Sequence, residues 1–201
     1  MPKHGLTKET VLDAAEELIE AHGVSYLTTG TLAKKLGIKP ASLYNHIEST
    51  EQLRCELAVR AVRMLSDALT AAIDGRTRED ACFALADAYR AFVHRSPALY
   101  HLILMIPMTG NDTMTNALPD VIVPVFHALS GFRLTEEERN HWQRILRTVM
   151  HGFSTQELWG FFSHTNTDRN ETYRLAVQTV INGILHTESE HTKHQGGAQN
   201  A

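Results

Sequence analysis

The sequence predicts an all-α protein of about nine helices, and three observations carry that expectation. Apolar residues recur at helical spacing: Val11, Ala15, Leu18, Ile19 and His22 follow an i, i+4, i+7, i+8, i+11 pattern with charges between them. Candidate starts carry Thr, Ser or Asp, several with Glu or Gln three residues on, and candidate ends carry glycine. No segment alternates as a half-buried strand would, and no internal repeat is present. With 201 residues, 43% of them hydrophobic, the chain can bury one sizeable core and support one small satellite domain.

Taken in order, Thr7 caps the first helix and Gly23 ends it. In VSYLTTGTLAKKLG, Thr28 or Thr29 caps a second helix, and Gly37 stops it after Leu36. Pro40 suits the first turn of a third, where its missing N–H costs nothing. Ser49-x-x-Gln52 is a capping box for a fourth helix, to about Ile73. Thr77, followed by Glu79 and Asp80, starts a fifth, to about Arg95. SPALYHLILMIPM is a short apolar helix between Pro97 and Pro107. Residues 108–131 carry Gly110, Pro119, Pro124 and Gly131, so helix there is expected to be interrupted or irregular. Thr135-x-x-Glu138 opens a long helix through Trp142, Ile145, Leu146, Val149, Met150 and Phe153, to about Phe162. Asp168 with Glu171 caps a last helix, whose stripe is Tyr173, Val177, Val180, Ile181, Ile184 and Leu185. The tail from about Ser189 is polar and aperiodic and reads as disordered.

Composition narrows the class. No run of about 18 apolar residues exists, so no transmembrane span is expected. The N-terminus lacks an apolar h-region and an A-x-A site, so it does not read as a signal peptide. Cys55 and Cys82 sit in helical patterns without metal-like spacing, which suits reduced core thiols in a cytoplasmic protein; a redox-sensor role is the alternative. His186, His191 and His194 near the C-terminus make a poor metal site, and no metal or cofactor is expected. A bundle enzyme would need a convergent catalytic set. The chain has no glycine-rich phosphate loop, no H-E-x-x-H, no G-x-S-x-G and no paired Glu-x-x-His.

The net charge is −4, and residues 1–55 hold about as many acidic as basic side chains. Nucleic-acid binding must therefore be argued from geometry rather than from charge. The geometry lies in residues 28–47. Two short helices meet at Gly37, Ala33 allows them to cross closely, and Leu36, Leu43 and Ile47 pin the second against the first. Burying those residues turns Ser42 and Asn45 outward, beside Lys39, Tyr44 and His46. These are phosphate-reaching and base-reading types, although a helical hairpin with a polar surface would look alike on the turn alone.

The flanking sequence decides between them. VLDAAEELIEAHGVSYLTTGTLAKKLGIKPASLYNHIESTEQL resembles the DNA-binding domain of TetR-family transcriptional regulators, through the AA and HG of the first helix, LTTGTLAKKLGI, LYNHI and STEQL. Ile47 stands where the family usually has an aromatic residue, and Thr50 where it usually has lysine. The resemblance implies phosphate contacts from Thr29, Tyr44, His46 and Thr50, with Lys39 at the start of the recognition helix. It implies base-facing positions at Pro40, Ala41, Ser42 and Asn45. Gly30 occupies a site where some members carry a base-reading arginine.

The implied organisation is a DNA-binding domain over residues 1–50, an effector-binding and dimerisation domain over 51–188, and a disordered tail over 189–201. RILRTVMHGFSTQELWGFF is similar to the Trp-His-Gly type of TetR C-terminal domain, with Trp142, His151 and Gly152 as the naming residues. Tyr100, His101, Leu104, Met105 and Met108, with Phe126, Trp142, Met150, Phe153 and Trp159, have the composition of an apolar effector pocket. Plain core packing is the competing role for each. His151 is either a satisfied core histidine or a ligand-orienting or pH-sensing one. Gly152 in mid-helix costs about 1 kcal/mol against alanine, which implies close packing there. The expected function is a homodimeric repressor that binds a palindromic operator in double-stranded DNA and is released by a small, largely apolar effector. A helical adaptor or an enzyme without DNA binding is the alternative. The last two helices are expected to form the dimer interface, through the Tyr173–Leu185 stripe.

Overall fold

The computed structural model describes residues 6–106, 112–164 and 166–197. Among them are nine α-helices, one 3-10 turn and no strand. The helices are α1 (Lys8–His22), α2 (Thr29–Leu36), α3 (Pro40–Leu43), α4 (Thr50–Ile73), α5 (Arg78–Arg95), α6 (Pro97–Met105), α7 (Asp112–Leu129), α8 (Glu136–Leu158) and α9 (Arg169–Gly197), with the 3-10 turn at Val24–Tyr26. No described helix is long and apolar enough to cross a membrane. The chain divides into two compact units: Met1–Met64 with Arg95–Pro119, and Leu65–His94 with Asp120–Ala201. The division falls within α4, between Met64 and Leu65, and α6 joins the N-terminal helices.

Local chemistry accounts for most starts and stops. Thr7 and Thr10 form a reciprocal capping box at α1, and Thr28 and Thr31 form another at α2, so Thr28 rather than Thr29 is the cap. Thr135 and Glu138 complete the expected box at α8. At α4 only half of the box forms. Ser49 Oγ accepts the Gln52 N–H at 3.0 Å, while the Gln52 amide turns to donate to Glu56 Oε1 at 3.2 Å. Asp168 Oδ1 accepts the Asn170 N–H at 2.8 Å at the start of α9.

Three elements differ from expectation. Residues 112–129 are one helix despite Pro119 and Pro124. Pro124 has no N–H to give the Asp120 carbonyl four residues back, and Ser66 Oγ on α4 donates to that oxygen instead, at 2.7 Å. Residues 107–111, with Met108 and Gly110, lie outside the described residues. α8 stops at Leu158, because Gly160 takes a φ of 76° and turns the chain. α9 continues to Gly197, past the expected end near Ser189; His191 on it meets Glu138 of α8 at 2.9 Å.

The core of the second unit explains a further correction. Tyr173, Val177, Val180, Ile181 and Ile184 are all buried within this one chain, so the stripe expected to meet a partner is spent on the protomer's own core. α8 and α9 approach closely at Gly183, not at Gly152. A Cβ on Gly183 would lie 2.3 Å from Trp142 Cη2, whereas one on Gly152 would meet nothing within 4 Å. The far end of α9 is tied down by Glu188, which accepts from both Arg78 terminal nitrogens (2.8 and 3.2 Å) and from the Arg133 N–H (2.7 Å). Arg78 also donates to the Gly131 carbonyl and lies over the Phe132 ring. Its own φ is +55°, uncommon for a residue with a Cβ, and these contacts hold it there.

Candidate functional site

The helix-turn-helix forms as its sequence requires. Gly37 adopts φ 68°, ψ 30°, the left-handed conformation that ends α2. The Ile38 N–H returns to the Ala33 carbonyl at 3.0 Å, closing a Schellman-type end. Lys39 is extended and Pro40 opens α3. Leu32, Ala33, Leu43 and Ile47 are buried. α3 has only one regular turn; Asn45, His46 and Ile47 continue it through N–H donation to Ser42 and Leu43 carbonyls. The unit is braced from two sides. Lys35 pairs with Glu17 of α1 at 2.6 Å, and an Arg54 terminal nitrogen donates to the Leu27 carbonyl ahead of α2 at 2.9 Å.

In this frame Lys39, Pro40, Ala41, Tyr44 and Asn45 are exposed, and Thr29, Ser42, His46 and Thr50 are half-buried. Tyr44 is 58% exposed, a large aromatic ring left mostly open to solvent. Thr29 is the first residue of α2 and Thr50 the first of α4, so both sit where helix N–H groups point outward to an anion. Gly30 is exposed, and an added Cβ there would touch only Thr28 Oγ1 at 3.8 Å, so the backbone does not require glycine.

The residues expected around an effector fall into different settings. Tyr100 is buried, His101 is exposed and Met105 is 54% exposed, all on α6 in the first unit. Phe126, Trp142, Met150, His151 and Phe153 belong to the second. Met150 is fully buried, and Phe126 half-buried. Trp142 packs on Gly183 and donates its Nε1–H to Thr187 Oγ1 at 3.2 Å, which makes it a joint between α8 and α9. Phe153 lies 4.8 Å from Phe162 and 4.9 Å from Tyr173, and walls a cleft of about 210 Å³ with Phe162, Thr167, Arg169 and Thr172. Trp159 is 61% exposed and stacks loosely on Phe161.

Sequence reasoning missed a polar seam inside the second unit. Glu157, 8% exposed, accepts from Arg90 at 2.5 and 2.7 Å and meets His94 Nε2 at 2.8 Å. Arg90 holds the Glu157 carboxyl below the usual carboxylate range, against the opposing pull of burial. Tyr173 covers the Arg90 guanidinium at 4.9 Å and donates its hydroxyl to the Ala86 carbonyl at 2.7 Å. On the same helix as Glu157, Gln143 is buried and Arg147 and His151 are half-buried. Burial lowers the His151 pKa, with the Arg147 charge as a second cause. The one available signal was the i, i+4, i+8 spacing of Gln143, Arg147 and His151, polar types on a single face of an otherwise amphipathic helix.

Comparison with known proteins matches both parts. Residues 11–57 fit the model for bacterial regulatory proteins of the tetR family, and residues 82–180 fit the tetracyclin repressor-like C-terminal domain. The chain is 32% identical over 187 residues to the uncharacterized HTH-type transcriptional regulator YobS of Bacillus subtilis (strain 168), covering 92% of this chain and 95% of that one. The chain belongs to the TetR family of transcriptional regulators. A TetR-family protein binds DNA through its helix-turn-helix, and this membership displaces the enzyme and adaptor alternatives. Two solved structures share the fold. A protein of unknown function from Rhodococcus sp. RHA1 aligns with TM-score 0.76 at 22% identity, over 90% of this chain and 96% of that one. A TetR variant from Acinetobacter baumannii AYE in complex with minocycline aligns with TM-score 0.65 at 17% identity, over 92% and 99%.

Proposed function

We propose that this TetR-family regulator is a homodimeric repressor, released from a palindromic operator by a small molecule bound in its second unit. The observation that carries the DNA half is the exposed set on and after α3, with Leu43 and Ile47 buried behind it. Asn45 and Ser42, with Pro40 and Ala41, read base edges; Thr29, Lys39, Tyr44, His46 and Thr50 grip phosphates. The minocycline complex of a fold relative supports a small-molecule effector.

Dimerisation falls to the faces of α8 and α9 that the protomer leaves open. Ile145 on α8 is 42% exposed, Leu175 on α9 60%, and Trp159, just past the end of α8, 61%, more apolar surface than one chain has use for. Gly152 faces open space on α8, where a helix of a second copy can come close. A dimer places two reading heads about 34–36 Å apart, one turn of DNA.

The test is a gel shift on the DNA upstream of the protein's own gene, with light scattering on the same sample. A dimer bound to one site is expected, and Leu175→Glu is expected to give monomers and lose the shift while the helical signal stays. A wild-type monomer at micromolar concentration, or a shift unaffected by any added small molecule in a broad screen, would contradict the proposal.

A further inference from the structure

Arginines that leave water normally find a counter-ion. In the second unit Arg90 has Glu157 and Arg78 has Glu188. Arg147 has no carboxylate within 4.0 Å among the described residues. Its one hydrogen bond there is donation to Gln143 Oε1 at a long 3.4 Å. Yet it is half-buried, beside Gln143 at 5% and Met150 at 0% exposure, with Tyr89 of α5, 8% exposed, near enough to act on its charge. His151 lies one turn further along the same face of α8.

We propose that Arg147, flanked by Gln143 and His151 and faced by Tyr89, anchors a carboxylate on the effector, which is therefore an organic acid with an apolar body. The inference rests on the effector reading above and names the chemistry of that ligand. The planar guanidinium matches a carboxylate through two parallel N–H donations. Burial pushes both the Arg147 guanidinium and the His151 imidazole below their ordinary values. At neutral pH the pair therefore carries one positive charge, on Arg147. One charge suits a monoanion; a phosphate monoester would bring most of a second negative charge, which the neutral His151 beside Arg147 does not meet. An uncharged effector would leave the half-buried cation as unfavourable as before.

The test uses straight-chain carboxylates from hexanoate to dodecanoate, each against the alcohol of the same length. Readouts are melting temperature and release of the upstream DNA, on wild type, Arg147→Met and Arg147→Lys. Without ligand, Arg147→Met is expected to melt at or above wild type, because an uncompensated charge has gone. The best carboxylate should act on wild type at about a tenfold lower concentration than its alcohol. Arg147→Met should lose that preference and Arg147→Lys should keep part of it. A clear fall in the melting temperature of ligand-free Arg147→Met would make the residue structural and overturn the proposal. Alcohols that release DNA as well as carboxylates would overturn it while leaving the effector reading in place. Release by neither would overturn the carboxylate proposal, and the broad screen above decides the effector reading separately.

Discussion

Replacing Gly183 with alanine puts a methyl group where the Trp142 indole already lies. The added Cβ would sit 2.3 Å from Cη2, 3.0 Å from Cζ3 and 3.2 Å from Cζ2. Carbon atoms settle at roughly 3.5–4.0 Å, so the ring or the helix must give by roughly 1 Å or more. The ring is not free to swing, because its Nε1–H donates to Thr187 Oγ1 one turn along α9. Overpacking of this kind costs about 1–3 kcal/mol. A clash this deep takes the upper part of that range, about 2–3 kcal/mol, and alanine returns about 1 kcal/mol of helix propensity, so the net loss is about 1–2 kcal/mol. For a chain of this length that lowers the melting temperature by roughly 2–8 °C. The assay is thermal unfolding at one fixed protein concentration, since a dimer's melting point depends on concentration. The Gly183→Ala, Trp142→Leu double variant should lose less than the two single changes summed, because the clash needs both side chains. An unchanged or higher melting temperature in Gly183→Ala would refute the close crossing of α8 and α9.

Two further predictions follow from single contacts. Ser66→Ala should cost about 1 kcal/mol, because the Asp120 carbonyl that Pro124 cannot serve loses its donor; restoring the backbone donor with Pro124→Ala should shrink that cost, and urea unfolding of the three variants checks it. The Glu188 carboxyl is held down to about 2 by Arg78 first and the Arg133 N–H second. A depressed carboxylate stabilises above its unfolded value near 4.5 and loses that contribution as pH falls towards about 2. Discounted for partial solvent screening, Glu188→Gln should cost about 1–2 kcal/mol at neutral pH, with the gap to wild type narrowing below about pH 4.5. A gap that stays constant with pH would show that the ion pair is not its source.

The parts of this molecule that were legible in the sequence are those specified locally. Thr28, Gly37 and Pro40 set the boundaries of α2 and α3 through their own backbone chemistry, and Leu43 and Ile47 reveal the buried face by spacing alone. The Thr135–Glu138 box is likewise complete within four residues. What needed a distant partner was not legible. α7 passes through Pro124 because Ser66, 54 positions before Asp120, gives the Asp120 carbonyl the missing donor. Arg90 and Glu157 are 67 positions apart, and neither carries a local sign of the other. Periodicity marked Val180 and Ile184 as buried, but it cannot say by which chain, and the protomer buries them itself. Gly183 and Gly152 look equivalent as mid-helix glycines; only the position of Trp142 separates them.

The central claim is that the short helix after Gly37 reads base sequence rather than only holding the DNA backbone. The most direct measurement is the binding of wild type, Asn45→Ala and Tyr44→Phe to the upstream operator and to a scrambled duplex, over a salt series. Asn45 is exposed and its amide suits a bidentate contact with adenine, so its loss should cost roughly 1–3 kcal/mol on the operator and little on scrambled DNA. Tyr44→Phe should weaken both duplexes alike, since a phosphate contact carries no sequence information. Thr50→Lys, adding one phosphate contact at the start of α4, should steepen the salt slope by about 0.9 and tighten both. Equal losses on the two duplexes for Asn45→Ala would contradict the account, leaving α3 a grip on DNA and not a reader of it.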